Sequence, residues 1–207
     1  PNTVASTSAD LFNITGRLGT YAPQLGMATN RAFARTLGNR FANLGQQASV
    51  ASENGLASIN NCGYLNRVWA GAFGAWEDMG TRSGLDGYDY SSYGMALGYD
   101  RWFGPVAVGA AFAYSRGDLD VDGVNDDNDI DNYTFSLYAT YTRGTGFFSS
   151  LYGAYTYSDN DSRISNGNRS NTADFHTNNF MVGNQTGYKF DFCNGFSLAP
   201  SIGIVYQ

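Results

Sequence analysis

The sequence predicts an all-β fold: an antiparallel transmembrane β-barrel, read in part as about seven strands, preceded by an α-helix that threads its pore. Three observations carry this. Segments from residue 64 onward alternate with a period of two, and their second face is small or neutral-polar rather than charged. The connections alternate between tight turns and long polar stretches. Charged residues make up 14% of the chain, aromatics reach 15% and glycines number 26, whereas ordinary soluble domains are about a quarter charged. The net charge of −6 argues against a nucleic-acid partner, because phosphate binding needs clustered Lys and Arg.

Residues 1–25 are polar and weakly patterned and read as a linker. Residues 26–52 read as the pore-spanning helix. Phe33, Leu37, Phe41 and Leu44 recur on one helical stripe, with Arg31, Arg35 and Arg40 beside it. Asn30, Thr36, Asn39, Asn43 and Gln47 lie on the polar side. From Thr29 to Gln47 such a helix spans about 30 Å, the thickness of a membrane. A short linker over 52–62 precedes the barrel portion, 63–207.

The strands read at 64–79, 88–102, 105–116, 130–143, 146–158, 173–190 and 196–206. In the fourth, Tyr133, Phe135, Leu137, Ala139 and Tyr141 oppose Asn132, Thr134, Ser136, Tyr138 and Thr140. The first is ambiguous: Trp69 and Phe73 share one face, Val68 and Trp76 the other. Tight turns fall at Phe103-Gly104-Pro105, Arg143 to Gly146 and Asp191 to Gly195. Long polar connections fall at 80–87, 117–129 and 158–172. Outer-membrane barrels show this asymmetry, with short turns periplasmic and long loops outside. No run of about 18 apolar residues is present to form a transmembrane helix. A soluble β-sandwich also alternates, but its outer face carries more Lys and Glu than a chain with one lysine offers.

Residues 90–115 hold the most specific pattern. One face of this strand pair is bulky; the other is Gly94, Ala96, Gly98, then Ala107, Gly109, Ala111 and Ala113. Small barrels normally fill their interior with side chains. A wall reduced to Gly and Ala leaves room for the helix inside. Asp100 follows in the same register and faces the lumen, where it either pairs with Arg31, Arg35 or Arg40 or stands solvated. Aromatics at strand ends (Tyr93, Trp102, Phe103, Tyr114, Tyr133, Tyr141, Phe147, Tyr157, Tyr188) suit interfacial girdles.

"RVWAGAFGAWEDMG" (67–80), "YSSYGMALGYDRWFGPVAVGAAFAYSRGDLDVDG" (90–123), "FSLYATYTRGTGFFSSLYGAYTYSDNDSR" (135–163) and "GYKFDFCNGFSLAPSIGIVY" (187–206) resemble the translocator β-domain of the type V secretion autotransporters. The likeness covers most of residues 26–207. It implies a twelve-stranded barrel of the bacterial outer membrane with an α-helix through its pore. It also implies an N-terminal passenger in cis, carried to the cell surface and anchored there, and partners in outer-membrane lipid and the outer-membrane assembly machinery, the BAM complex. No enzyme activity and no cofactor follow from it. Seven strands against twelve make the segment read as the N-terminal part of a barrel whose C-terminal strands are missing. A signal peptide is expected upstream of Pro1. Some family members release the passenger at an asparagine of the linker helix; here Asn30, Asn39 and Asn43 include no Asn-Asn pair, and Asn60-Asn61 lies after the helix. The alternative reading is a porin-like channel or a loop-based adhesin, for which the helix at 26–52 has no use.

Other motifs read as bland. Asp118, Asp120 and Asp122 with Gly123 match the opening of a calcium loop, with Asp129 at its twelfth position, but flanking helices are lacking and a solvated acidic loop is the simpler reading. Seven of the 18 acidic residues fall between Asp118 and Asp131. His176 is the one histidine, which disfavours a zinc site or a hydrolase triad. Cys62 and Cys193 fit either a disulfide or two unpaired thiols. Half a barrel apart, they would pair directly only if the 52–62 linker crossed the mouth.

Overall fold

The computed structural model describes residues 26–44, 56–61, 66–80, 87–121, 125–143, 146–166, 169–192 and 197–207, with the backbone alone for 56–61, 121, 125–127, 143, 162–166, 169–171, 173, 191 and 197. It consists of one helix, α1 (26–44), and ten strands. These are β1 (Leu56–Asn61), β2 (Asn66–Met79), β3 (Tyr88–Phe103), β4 (Val106–Val121), β5 (Asn125–Arg143), β6 (Phe147–Asn166), β7 (Arg169–Tyr188), β8 (Phe190–Asp191), β9 (Ser197–Leu198) and β10 (Ser201–Tyr206). Eight of them form one antiparallel sheet in the order β1-β2-β3-β4-β5-β6-β7-β10; β8 and β9 make a separate two-stranded ribbon.

The sheet has to curl around α1. At about 4.8 Å per strand, β2 to β7 span roughly 24 Å, twice the width of a helix. Yet inward residues of all six strands pack with the helix in one apolar cluster, among them Trp69, Ala96, Ala107, Tyr138, Tyr152 and Met181. Flat, the sheet would leave its outer strands far from α1. Curled, it forms the half-barrel seen here.

The outer face is a band of exposed apolar side chains. Met95, Leu97, Val108, Phe112, Phe135, Leu137, Leu151, Phe180, Val182, Ile202 and Ile204 all point away from the helix and stand well exposed. A contiguous apolar surface of this extent marks a non-aqueous neighbour. On β5 the band runs from Tyr133 to Tyr141; at 3.4 Å per residue and a tilt near 40° its height is about 21 Å, close to the roughly 25 Å of a barrel's lipid-facing belt.

Several expectations need correction. The linker read at 52–62 contains β1, which pairs with β2 from Leu56↔Gly71 to Asn61↔Asn66. The main sheet therefore has eight described strands, not seven. The connections read at 117–129 and 158–172 are largely ladder: β4 reaches Val121, β5 begins at Asn125, β6 reaches Asn166 and β7 begins at Arg169. Beyond the membrane belt the ladder's hydrogen bonds persist while the side chains turn to Asp, Asn and Ser. Hydrophobic alternation then vanishes although the strand does not. At the other end, the strand read at 196–206 is split into β9 and β10. Pro200 has no N–H to donate and interrupts the ladder there. Gly104 turns β3 into β4 at φ 60° and Gly146 leads into β6 at φ 95°; a Cβ at Gly146 would also strike the Lys189 carbonyl.

Trp76 and Val68 face outward and Trp69 and Phe73 inward, which settles the orientation of β2. Trp102 is the exception in the girdle set. It is buried and faces the lumen, with the Arg67 guanidinium 5.9 Å from its ring centroid. Register decides this: Trp102 shares parity with Asp100 and Ala96, not with Phe103.

Candidate functional site

The site is the interior of the half-barrel, where α1 meets the wall. Phe33, Leu37, Phe41 and Leu44 are buried to within 1%, so the stripe read from the sequence is the face that packs. Phe33 lies against Phe73 with centroids 5.9 Å apart; Phe41 lies against Tyr138 at 5.4 Å and Tyr152 at 5.6 Å. Burying each of these side chains contributes about 1.5–3 kcal/mol.

The small wall has a different geometry from the one expected. Gly94, Ala96, Gly98, Ala107, Gly109 and Ala111 do face the lumen. The glycines among them, however, lie beneath aromatic rings from the neighbouring strand rather than against the helix itself. A Cβ at Gly98 would collide with the Trp69 indole, at Gly109 with the Tyr138 ring and at Gly94 with Phe73. Each is a directly paired residue: Trp69↔Gly98, Phe73↔Gly94 and Gly109↔Tyr138. Gly183 accommodates Tyr152 in the same way on β7. The rings lie over these glycines and form the floor on which α1 rests. The alanines Ala96, Ala107 and Ala111 fill the remaining wall within the same apolar cluster.

A buried ion pair crosses this interior. Arg40 donates through Nε and Nη2 to both oxygens of Asp100, at 2.8–3.0 Å. The two side chains are 4% and 0% exposed. Tyr138 donates its hydroxyl to Asp100 at 3.1 Å and accepts from the Trp69 indole N–H at 2.8 Å. The guanidinium also stands 6.0 Å from the Trp69 ring centroid. The planar fork of Arg, with five fixed donors, suits a buried bidentate pair better than Lys would. Of the three arginines read as partners for Asp100, Arg40 is the one that reaches it. Arg31 and Arg35 stand on the exposed face of α1 with Asn39, lining a groove of about 340 Å³ bounded by Tyr152, Gln185 and Val205.

The polar side of α1 is less exposed than its composition suggests. Asn30 is 1% exposed and accepts from Thr156 Oγ1 at 2.7 Å; Thr36 is buried and donates to the Ala32 carbonyl. Thr29 Oγ1 lies 2.6 Å from the Tyr90 hydroxyl and 3.2 Å from Ser92 Oγ. These contacts were missed because they need the wall's hydroxyl row, Thr134, Thr156 and Ser92, whose register no single sequence displays. Residues 45–52 of the expected helix lie outside the described residues.

The remaining motifs acquire ordinary roles. Asp118 and Asp129 face each other on β4 and β5, and the row continues through Asp161 on β6 to Asp174 on β7. This is a ladder of carboxylates on extended backbone, not a calcium loop; Asp122 and Gly123 lie outside the described residues. Burial, then the hydrogen bond and charge of Asp129, push the Asp118 carboxyl above its ordinary pKa. Arg116 meets Asp129 at 3.2 Å. Among the described residues, no three His, Cys, Asp or Glu side chains are grouped to hold a metal. His176 is mostly exposed on the outer face, stacked 5.8 Å from Tyr157 and 3.9 Å from Asp159. Asn60-Asn61 falls in β1. Cys62 and Cys193 lie outside the described residues.

Comparison with known proteins agrees with this architecture. Residues 68–207 match the family described as Autotransporter beta-domain. A 74-residue stretch, 35% of the chain, is 36% identical to an extracellular serine protease of Serratia marcescens; it spans 7% of that protein. The fold is similar to the β domain of the Bordetella autotransporter BrkA, at 19% identity and a TM-score of 0.56, covering 68% of this chain and 56% of that one. It is also similar to the translocator domain of NalP from Neisseria meningitidis, at 12% identity and a TM-score of 0.52, covering 86% of this chain and 68% of that one. The chain thus spans about half the length of the BrkA domain and a small part of the Serratia protein.

Proposed function

The chain belongs to the autotransporter β-domain family, and on that premise we propose that it exports an N-terminal passenger and anchors it at the cell surface, with α1 as the segment that occupies the pore afterwards. Proteins of this family are β-barrels of the bacterial outer membrane, and this chain resides there. The observation that carries the proposal is the seating of α1 inside the curled sheet, held by Phe33, Leu37, Phe41 and Leu44 and by the Arg40–Asp100 pair. A helix so placed has its start near Tyr90 and Ser92 and its end near Asp100. The first lies toward the extended hairpins, the second toward the tight turns, and tight turns are periplasmic in outer-membrane barrels. Chain N-terminal to α1 therefore leaves on the outer side, as a displayed passenger must.

The mechanism needs no bond chemistry in this domain. The wall supplies a polar, hydrogen-bonding interior with glycine sockets, through which polypeptide passes. The helix then fills the lumen it crossed. Lipid contacts the exposed apolar band, and insertion draws on the BAM complex. An open porin-like channel is disfavoured by the same helix, which occupies the lumen such a channel would keep clear.

The test places an epitope upstream of residue 26 in cells and measures its removal by external protease, beside the conductance of the purified protein. The reading expects a protease-accessible epitope, and a marked rise in conductance when residues 26–44 are deleted. An epitope reached only after the outer membrane is broken, or a deletion without effect on conductance, would overturn it.

A further inference from the structure

The chain is acidic overall, at −6, yet its charges are sorted by face. The outward surface beyond the lipid-facing band is acidic, with Asp118, Asp129, Asp161 and Asp174 in one row across four strands. The concave side, α1 included, has the opposite sign. Among the described side chains it carries five cations, Arg31, Arg35, Arg40, Arg67 and Lys189, against two carboxylates, Asp100 and Glu77. Asp100 is taken up by Arg40. Glu77 lies at the outer end, where it pairs in register with Tyr90. Arg67 and Lys189 are buried toward the tight turns: Arg67 stands opposite Asp100, and the Lys189 N–H donates to the Gly146 carbonyl at 2.8 Å.

The space that α1 leaves unfilled is the groove of about 340 Å³ along its open side. Arg31 and Arg35 are exposed there, facing Asn184 and Gln185 of β7. One helical turn separates the two arginines, about 6 Å along the axis. Asn39, one turn further, lines the same groove without charge. No described carboxylate lines it.

We propose that the water path left beside the seated helix conducts small inorganic anions in preference to cations, with Arg31 and Arg35 as its selecting charges. This rests on the reading that α1 occupies the pore. Screening decides how the two charges act together. At about 0.1 M salt the Debye length is about 10 Å, longer than the 6 Å step, so their fields overlap and leave no stretch where a cation is favoured. At about 1 M it shrinks to about 3 Å and the overlap is lost. In water, one unit charge about 4 Å away raises the local occupancy of an anion about fivefold. Low-dielectric walls lined by one sign of charge focus the field and strengthen the effect.

The experiment inserts the full chain into planar bilayers of uncharged phosphatidylcholine and reads the reversal potential under a KCl gradient. The expected chloride-to-potassium permeability ratio is about five at about 0.1 M mean salt, falling to about two or below at about 1 M. Arg31→Gln with Arg35→Gln should lower the low-salt ratio at least about twofold, and Arg31→Glu with Arg35→Glu should turn the preference toward potassium. The salt series on the unsubstituted chain stands by itself if a variant fails to fold. A chain that conducts nothing, prefers potassium or shows no preference overturns the inference. A chloride preference that salt does not weaken, or that survives removal of both arginines, overturns it as well. An unselective path with a surface-exposed epitope sinks this inference alone; a chloride-selective path with an epitope held inside sinks the export reading alone.

Discussion

Replacing Asp100 by Asn tests what holds α1 in the lumen. The substitution keeps the shape of the side chain and removes its charge. Arg40, with its side chain 4% exposed, then faces a neutral amide that offers one acceptor in place of two. Removing one partner of a buried ion pair costs about 3–5 kcal/mol, and the retained carbonyl places Asp100→Asn near the lower bound. At 1.36 kcal/mol per decade, about 3 kcal/mol is roughly a 150-fold shift toward the unseated helix. Hydrogen exchange of the amides at residues 33–41 reads this directly, and should quicken by about two orders of magnitude. Replacing both partners with apolar residues, Arg40→Met with Asp100→Leu, removes the charge without stranding it and should recover most of the protection. Exchange within about threefold of the parent in Asp100→Asn, or a double variant no better protected than the single one, would refute the reasoning.

Gly98→Val should destabilise the barrel by about 1–3 kcal/mol through collision with the Trp69 ring, and Trp69→Leu should lessen that cost; denaturant midpoints of the single and double variants measure the coupling. Leu37→Ala, at a fully buried position, should cost about 2–5 kcal/mol by leaving a cavity between α1 and the wall, read in the same titration. Asp118→Asn should stabilise the protein most at neutral pH. The folded pKa of Asp118 is raised, so its ionised form costs stability above that value and the cost is relieved as pH falls through it; the gap between parent and variant should shrink by about pH 4.

The stripe of α1 was legible because it depends on one element alone: Phe33, Leu37, Phe41 and Leu44 recur at helical spacing whatever lies opposite. The lumen face of β3 and β4 was legible for the same reason, as was the inward orientation of Asp100, fixed by its parity with Ala96 and Gly98. Features that depend on pairing were not. Which arginine meets Asp100 follows from the depth of α1 in the lumen, which only the packed wall defines. That Gly98 and Gly109 are sockets for Trp69 and Tyr138 follows from cross-strand register, absent from any one strand. Trp102 was misplaced because an aromatic near a strand end looks alike on either face. The long strands beyond the belt read as loops because Asp and Asn carry no hydrophobic period, while their backbone pairing continues regardless.

These pieces explain why the helix is neither a soluble nor a membrane one. A membrane helix would meet the Gly and Ala wall with apolar surface throughout, and nothing would fix its rotation or depth. A soluble amphipathic helix would leave its polar side to water. Here the polar contacts are graded along the axis. At the outer end Thr29 and Asn30 exchange hydrogen bonds with Tyr90, Ser92 and Thr156, each worth about 0.5–1.5 kcal/mol. Further in, burial of Leu37, Phe41 and Leu44 dominates, and Arg40 meets Asp100 at one depth and one rotation. The apolar stripe supplies most of the holding energy but is tolerant of sliding over the aromatic floor. The ion pair is not, since its two oxygens accept a rigid fork. Adhesion and position are thus assigned to different residues of one helix. A helix that rests at one depth and one rotation inside a curled sheet requires that division.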